Sequence, residues 1–288
     1  MRGKVVIVTG GGGPGCGRAI ARRFAKEGVS VVVADNDTAG GLVTKAVIDR
    51  DEGRAAFVPV DLGKPGAVRK MVDFAVAAFG RVDVLVNNAS FPYHPQERFE
   101  HWVETLEVDL VAVAQATLVC LEPMRKAGGG AIVNMASVSA IGHGRRHAEV
   151  PAFDAAKAGV IRLTTALGFL AQRDNIRVNC LVPGWIATPE VQGYVDSLTP
   201  EERTLRGVPQ TLLSTAQIAD AVYQLATDQR LAGRVLVWWN GIDPGGRSRL
   251  RTARSYFSWR LITTEGWLSK ELRRRVLLVL PFHSAWNS

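Results

Sequence analysis

The sequence predicts an α/β fold: a doubly wound parallel sheet in a single domain over residues 1–245, followed by a C-terminal tail over residues 246–288. Short continuous apolar runs, typical of strands buried on both faces, alternate with helix-like stretches along the chain. A glycine-rich loop follows the first apolar run, and an acidic residue ends the second. The chain has 288 residues and is 47% hydrophobic, which is enough for one large core.

Four strands and three helices are predicted before residue 87. Each strand is a short apolar run, and each helix has apolar residues three or four positions apart, with Gly28 closing the first helix. In chain order the predicted elements are the strand 5–8, the helix 18–27, the strand 31–34, the helix 39–50, the strand 56–60, the helix 67–79 and the strand 82–86.

The same alternation continues to residue 238. The weakly polar stretch 102–126 is long enough for an extended helix, and a fifth strand begins at residues 131–133. The remaining predicted elements are the helix 152–172, the strand 176–182, the helix 215–227 and the strand 235–238. Strands separated by helices of this length form right-handed βαβ units, so we expect a parallel sheet covered on both faces.

The loop 9–17 lies between the first strand and the first helix and contains six glycines. Glycines there let the backbone turn tightly and approach a pyrophosphate, which meets the positive end of the helix. Asp35 ends the second strand twenty residues after Gly15, where its carboxylate can bind an adenosine ribose and repel a 2′-phosphate. The pattern predicts a Rossmann-type site for NAD, with NADP less favoured. A triphosphate-binding P-loop is excluded, since Cys16 and Gly17 replace its required Lys and Ser/Thr.

Five motifs in sequence make residues 3–240 resemble the short-chain dehydrogenase/reductase family. The family's TGxxxGxG loop matches Thr9, Gly10, Gly15 and Gly17, with one extra residue before Gly15. The other matches are an acidic adenine contact at Asp61 and Leu62, the NNAG motif at Asn87, Asn88 and Ala89 (ending here in Ser90), the catalytic serine at Ser137, and the PG motif at Pro183 and Gly184. The resemblance implies an oxidoreductase that transfers hydride between NAD(H) and a small-molecule carbonyl or alcohol substrate.

The resemblance also implies which residues form the site. Ser137 would hydrogen-bond the substrate oxygen and Lys157 would bind the nicotinamide ribose, so these two are the catalytic candidates. The cofactor-binding candidates are Thr9, Gly10, Gly15, Cys16, Gly17, Asp35, Asp61, Leu62, Asn87, Ala89, Lys157, Pro183, Gly184, Ile186 and Thr188. We expect no metal, because no metal-ligand spacing is present.

Two residues depart from the family pattern at its catalytic positions. The family's YxxxK motif, whose spacing places both side chains on one helical face, has Phe153 and Lys157 at its ends here. Phe153 has no hydroxyl and cannot act as the general acid, and losing a positioned acid typically lowers the rate by ~10²–10⁴-fold. The asparagine that the family carries on the long helix before the serine corresponds to Asp109.

These departures leave three interpretations. In the first, another residue supplies the proton, although each candidate is also explained as a solvated loop residue; the candidates are Tyr93, His94, His143, His147 and Tyr194. In the second, the protein is an NAD-binding subunit with little or no catalytic activity. In the third, it is a redox-neutral enzyme on the same fold, with Ser137, Asp109 and Lys157 arranged differently.

The formal charge of +8 belongs almost entirely to the tail. Residues 246–288 contain nine basic and two acidic side chains, a net charge of +7, which leaves +1 for residues 1–245. Basic residues interleaved with aromatic ones permit binding to nucleic acid or to a membrane surface, but no groove-reading motif accompanies them. We therefore favour a flap that packs on the body or on a neighbouring subunit, with a helix over 267–280, and partial disorder is the alternative.

The expected assembly and location follow from the family and from the cysteines. The stretches 102–126 and 152–172 occupy the positions that pair subunits in the family, so the resemblance implies a homo-oligomer, a dimer or a tetramer. Cys16, Cys120 and Cys180 lie far apart with no CxxC pair, which fits a reducing compartment. The first apolar run is too short for a signal peptide, so we expect a cytoplasmic protein.

Deletion of residues 247–288 tests the packed flap. We expect a lower melting temperature or a smaller oligomer, because the deletion removes contacts to the body or to a neighbouring subunit. Size-exclusion chromatography with light scattering and a thermal melt measure both properties. If oligomer size and melting temperature are both unchanged, the tail is not a packed flap.

Overall fold

The computed structural model describes residues 1–92, 99–141 and 150–238, together with the backbone of residues 278–279. Within these ranges eight strands form one sheet, and β1 to β8 in chain order are Val5–Thr9, Ser30–Asp35, Arg54–Pro59, Val84–Asn87, Gly130–Met135, Ile176–Pro183, Val235–Trp238 and Leu278–Val279. The strands β1 to β7 are parallel, and β8 pairs antiparallel with β7.

Helices connect the strands as predicted for an α/β fold. In the described residues, α1 to α10 are Cys16–Ala25, Thr38–Arg50, Ala67–Phe79, Trp102–Leu106, Ala112–Lys126, Pro151–Ala166, Leu170–Asp174, Pro189–Ser197, Pro200–Leu205 and Thr215–Thr227. A π-helical turn, Glu107–Val111, joins α4 to α5, and a 3₁₀ turn, Val138–Ile141, follows β5. None of the helices described is both long enough and apolar enough to cross a bilayer.

The strand order confirms the doubly wound sheet. Across the sheet the strands run β3-β2-β1-β4-β5-β6-β7-β8. The chain therefore adds strands outward from β1 on one side and from β4 on the other, and the order reverses between β1 and β4. Connections at such a reversal leave in opposite directions and open a crevice at the carboxyl ends of the strands, where ligands bind in sheets of this type.

Apolar side chains bury both faces of the sheet. On one face α1 packs against α10, and the ring of Phe24 meets the ring of Tyr223 edge-on, 5.3 Å between centroids. On the other face α3 and α5 bury Met71 and Met124. Full burial of a side chain of this size contributes ~1.5–3 kcal/mol relative to exposure. The two cores enclose β1 from both sides and so hold the start of the glycine loop rigidly.

Both long predicted helices are interrupted. The stretch 102–126 is helical throughout but contains the π-helical turn, whose extra residue an apolar repeat cannot reveal. The stretch 152–172 forms α6 and α7 with a break near Gly168, where a Cβ would lie 3.3 Å from the backbone of Gly233. Apolar residues continue across that break, which is why the sequence predicted one helix.

The helices α8 and α9 were not predicted, although the sequence contains their start signals. Thr188 and Thr199 each precede a proline and accept a hydrogen bond from a backbone N–H of the first turn. In α9 Glu202 completes a capping box with Thr199. These caps fold the segment after β6 into two short helices beside the sheet's carboxyl edge.

The prediction of a helix over 267–280 is wrong at its C-terminal end. Leu278 and Val279 form the strand β8, whose backbone pairs with Val237 and Leu236 of β7. Pairing there satisfies backbone groups of β7 that would otherwise form a sheet edge. The other residues of the predicted helix lie outside the described residues.

A buried arginine fastens α10 to the sheet. Arg177, on β6, is 6% exposed, and its guanidinium donates to the carbonyl oxygens of Leu225, Ala226, Asp228 and Leu231 at 2.5–3.4 Å. Burial lowers the pKa of Arg177, and the charge of Asp228 opposes that shift. A cation at a helix C-terminus also complements the helix dipole. Since α10 packs on α1, Arg177 indirectly supports the helix that follows the glycine loop.

Replacing Arg177 by methionine tests this anchor. We expect Arg177→Met to lower the free energy of unfolding by ~2–4 kcal/mol, because it strands buried carbonyl groups without donors. Arg69→Met, on the exposed face of α3, is the matched control and is expected to change stability by less than ~0.5 kcal/mol. Urea denaturation measures both, and equal effects would refute the anchor.

Candidate functional site

The predicted site residues collect at one edge of the sheet. The glycine loop follows β1, Asp35 ends β2, Asp61 follows β3, Asn87 ends β4, and Pro183 ends β6. Ser137 follows β5, and Lys157 lies on α6, which packs against β5 and β6. Because the strands are parallel, these carboxyl ends share an edge and surround the crevice between β1 and β4.

The glycine loop needs glycine at two positions because the chain comes very close to its neighbours. Gly10 has φ +66°, and a Cβ there would lie 2.8 Å from the Cα of Ala89. A Cβ on Gly17 would collide with the carbonyl oxygen of Gly10. These contacts hold the loop against the end of β4.

Hydrogen bonds from Thr9 and Asn88 close the same junction. The Thr9 hydroxyl accepts the backbone N–H groups of Asn88 and Ala89 at 3.0 Å each, and donates to the carbonyl oxygen of Val86 at 3.3 Å. The Asn88 amide donates to the carbonyl oxygens of Thr9 and Gly10. Thr9 therefore acts as a clamp between β1 and β4. Asn88 was not among the predicted site residues, although the Asn87-Asn88-Ala89 motif contained it.

Asp35 faces the glycine loop, and its predicted contact with an adenosine ribose stays a prediction. Its Oδ2 accepts the backbone N–H of Gly12 at 2.6 Å, and its Oδ1 accepts that of Asp37 at 2.9 Å. Arg18, which sequence reasoning also missed, donates to the carbonyl oxygen of Gly12 at 2.5 Å and to the Thr44 hydroxyl at 2.8 Å. The carboxylate is only half-buried, so its remaining lone pairs are accessible at the end of β2.

The middle of the loop borders open space. A Cβ built on Gly13 has no atom within 4 Å, and one on Gly15 lies 3.5 Å from the Thr188 methyl group. Within the described residues no side chain caps α1, so its first N–H groups remain for another acceptor. Room, backbone donors and the positive end of a helix are what a diphosphate requires, so the loop fits a dinucleotide.

Asn87 belongs to a buried polar chain. Its amide donates to Asn134 Oδ1 at 2.8 Å, Asn134 donates to the Thr164 hydroxyl at 2.9 Å, and Thr164 donates to the carbonyl oxygen of Val160. The chain links β4, β5 and α6 and satisfies every one of these groups. The side chain of Asn87 is thus engaged in the protein interior, and its predicted cofactor contact stays a prediction.

Three other predicted contacts lie around the loop. Asp61 is exposed and accepts the Gly63 N–H at 3.0 Å, while Leu62 is half-buried against the core beside α3. Burial raises the pKa of the Cys16 thiol to about 12, so this thiol is protonated at neutral pH. Cys16 is therefore placed to line the loop as a small apolar residue, without nucleophilic character.

Asp109 and Lys157 form a buried ion pair, with 3.3 Å between Oδ2 and Nζ. Asp109 is fully buried in the π-helical turn, and Lys157 is 4% exposed. The Asp109 carboxylate also accepts the Ser90 hydroxyl and the Phe91 N–H, each at 2.7 Å. The Lys157 ammonium lies 5.3 Å from the centroid of the Phe153 ring. Ser90 and Lys157 thus both contact the Asp109 carboxylate, and the Phe153 ring lies on another side of the same lysine.

Ser137 opens the 3₁₀ turn beyond β5. Its Oγ accepts the Ser139 N–H at 3.2 Å, an arrangement that leaves the hydroxyl proton for another acceptor. The Ser139 Oγ is buried and makes no hydrogen bond within the described residues. Both hydroxyl groups stand at the carboxyl edge of β5, where a substrate oxygen is expected.

The segment after β6 carries an aromatic pair. Trp185 stacks on Tyr194 of α8 with 6.3 Å between ring centroids, and the Arg206 guanidinium donates to the Tyr194 hydroxyl at 2.7 Å. Gly184 is held by its N–H to the carbonyl oxygen of Trp238, and Ile186 pairs with Leu213. Thr188 caps α8, and its methyl group lies on the side of the glycine loop where a Cβ on Gly15 would be.

Of the five candidates for an alternative proton donor, Tyr194 is the one that lies within the described residues. Its hydroxyl accepts from Arg206 and retains a proton to donate. Tyr93, His94, His143 and His147 lie outside the described residues. Sequence reasoning did not foresee the roles of Ser90 and Phe91, since their contact with Asp109 depends on tertiary structure.

Comparison with known proteins identifies relatives over most of the chain. A family model described as short chain dehydrogenase matches residues 4–198. A 3-oxoacyl-acyl-carrier-protein reductase of Chlamydia muridarum is 34% identical over 240 residues, which are 81% of this chain and 94% of that protein. An L-fucose dehydrogenase of Bos taurus is 35% identical over 208 residues, which are 71% of this chain and 74% of that protein.

A solved structure matches the fold. A crystal structure from Burkholderia xenovorans, assigned to the short-chain dehydrogenases/reductases, superposes with a TM-score of 0.73 at 34% sequence identity. The match covers 85% of this chain and 97% of the other chain.

Removing one partner of the Asp109–Lys157 pair tests its burial. We expect Asp109→Ala and Lys157→Met each to lower the free energy of unfolding by ~3–5 kcal/mol, because each leaves an uncompensated buried charge. The double variant is expected to lose much less than the sum of the two. Urea denaturation measures the cycle, with the exposed pair Glu122–Lys126 as a control whose loss changes stability little. Additive losses at Asp109 and Lys157 would contradict the pair.

Proposed function

Because the chain belongs to the short-chain dehydrogenase family, we propose that it is an oxidoreductase that transfers hydride between NAD(H) and a carbonyl or alcohol substrate. The observation that carries the proposal is the glycine loop, which is open at Gly13 and Gly15 and is hydrogen-bonded to the Asp35 carboxylate through Gly12. Members of this family use NAD(P) and act on small molecules.

The preference for NAD over NADP rests on the charge at the end of β2. Asp35 is followed by Asn36 and Asp37, so two carboxylates near the end of β2 would disfavour a 2′-phosphate there. Both are engaged as hydrogen-bond acceptors from backbone N–H groups, Asp35 from Gly12 and Asp37 from Gly40. Such carboxylates accept ribose hydroxyl donors and repel a phosphate.

Each part of the site has an expected task. The bound nicotinamide would donate or accept the hydride. Asp35, Asp61 and Leu62 would hold the adenosine half, Thr188 and Lys157 the nicotinamide half, and Ser137 the substrate oxygen. The remaining backbone contacts would come from Thr9, Gly10, Gly15, Cys16, Gly17, Asn87, Ala89, Pro183, Gly184 and Ile186.

The surroundings of Lys157 favour a second candidate, an NAD-binding subunit with little or no catalysis. Phe153 provides no hydroxyl, and Asp109 already engages the ammonium. A redox-neutral reaction at Ser137, Asp109 and Lys157 is the third possibility. Turnover of a secondary alcohol with NAD at an ordinary rate would exclude a non-catalytic subunit. Loss of that turnover in Tyr194→Phe would identify Tyr194 as the proton donor.

Homo-oligomer formation is expected through the long helices. Leu118 of α5 is 61% exposed, and Val103 of α4 and Val111 beside it are exposed as well. Apolar side chains exposed along neighbouring turns are typical of surfaces covered by another subunit.

Titration with NADH and NADPH tests the cofactor assignment. We expect NADH to bind at least tenfold more tightly than NADPH, and Asp35→Asn to reduce this preference by about tenfold, equivalent to ~1.4 kcal/mol. The asparagine keeps an acceptor for Gly12 but removes the charge. Asp49→Asn, on the exposed side of α2, is the control and should leave the ratio unchanged. Fluorescence or calorimetry measures the constants, and binding of neither nucleotide would refute the proposed function.

A further inference from the structure

The Lys157 ammonium has its counter-charge directly beside it. Both side chains of the pair with Asp109 are buried, so solvent and salt screen them weakly. Two opposite charges 3.3 Å apart act on a neighbour 5 Å or more away as a dipole, and most of the field of the single charge is cancelled. The centroid of the Phe153 ring lies 5.3 Å from Nζ, which is within that range.

Three donors hold the Asp109 carboxylate in place. The Phe91 N–H reaches Oδ1, and the Ser90 hydroxyl and the Lys157 ammonium both reach Oδ2. Donors of this kind stabilise the ionised carboxylate. Phe91 and Ser90 follow β4, Asp109 lies in the π-helical turn and Lys157 lies on α6, so three elements fix the pair.

Other ionisable groups near Lys157 do not replace Asp109. The Cys180 thiol on β6 feels the charge of Lys157, but burial raises its pKa to about 12, so it stays neutral below that pH. Glu104 and Glu107, on the elements that pack against α6, are exposed. Asp109 is therefore the carboxylate that forms an ion pair with Lys157 in the part of the chain that the structure describes.

We propose that Asp109 is a positioning residue that compensates the charge of Lys157. As a result, a group at position 153 would experience little positive electrostatic potential from the ammonium. A hydroxyl introduced at position 153 would then lack the uncompensated ammonium that makes a phenol acidic. Restoring the hydroxyl alone would leave the electrostatic surroundings of position 153 unchanged. To lower the pKa of the introduced phenol, the charge of Asp109 must be removed as well. The consequence for hydride transfer rests on the proposed function, whereas the charge compensation does not.

A spectroscopic titration separates these cases without a substrate. The variants are Phe153→Tyr and Phe153→Tyr/Asp109→Asn, and the wild-type titration is subtracted to remove the four natural tyrosines. We expect the introduced phenol to titrate at or above its ordinary pKa of about 10 in the single variant. In the double variant we expect a pKa at least about one unit lower, because an uncompensated cation at this distance lowers an acid's pKa by ~1–3 units.

Phe153→Tyr/Glu107→Gln is the matched control, since Glu107 lies in the same π-helical turn but is exposed. It should titrate like the single variant. A phenol pKa of about 9 or lower in Phe153→Tyr alone would overturn the proposal, even if the double variant did not fold. Equal pKa values in the single and double variants would overturn it as well. NADH binding, followed in the same proteins by fluorescence, tests the proposed function separately.

Discussion

The contact between the glycine loop and the end of β4 is the constraint on which the remainder of the site depends. Gly10 and Gly17 approach so closely that a side chain at either would displace backbone, and Thr9 closes the gap with two accepted hydrogen bonds. This junction lies where the strand order reverses, so it sets both walls of the crevice. The junction is stabilised by the apolar residues packed around β1 and by Arg177, which anchors α10 to the sheet.

A second constraint is electrostatic. The buried pair of Asp109 and Lys157 is tolerated because each polar atom of the carboxylate has a partner, which offsets the cost of removing two charges from water. The pair also brings together residues from separate points of the sequence. Ser90 supplies a donor to the carboxylate, and Phe153 supplies a ring beside the ammonium.

Much of the fold and part of the site could be predicted from the sequence. Apolar runs fix the strands, and in a parallel sheet this also places residues such as Asp35 and Ser137 at one edge. The π-helical turn could not be predicted, because one extra residue leaves the apolar repeat nearly unchanged. The pairing of Asp109 with Lys157 could not be predicted either, because it depends on how two helices cross. The Thr-Pro pairs at Thr188 and Thr199 are recognisable as helix starts. The helices that they begin are too short to show an apolar repeat, and proline is also common in loops.

If Asp35 binds a ribose as proposed, the hydrogen bond from Gly12 means that the ribose would meet a carboxylate that already holds the loop. The loop is held in shape before a nucleotide arrives, so little conformational entropy remains to be lost on association. A ribose hydroxyl that approached that carboxylate would compete with the Gly12 N–H. The free energy gained on binding would then be the difference between two similar hydrogen bonds. Residues that shape the loop without contacting a nucleotide would therefore influence the affinity of Asp35 for the ribose.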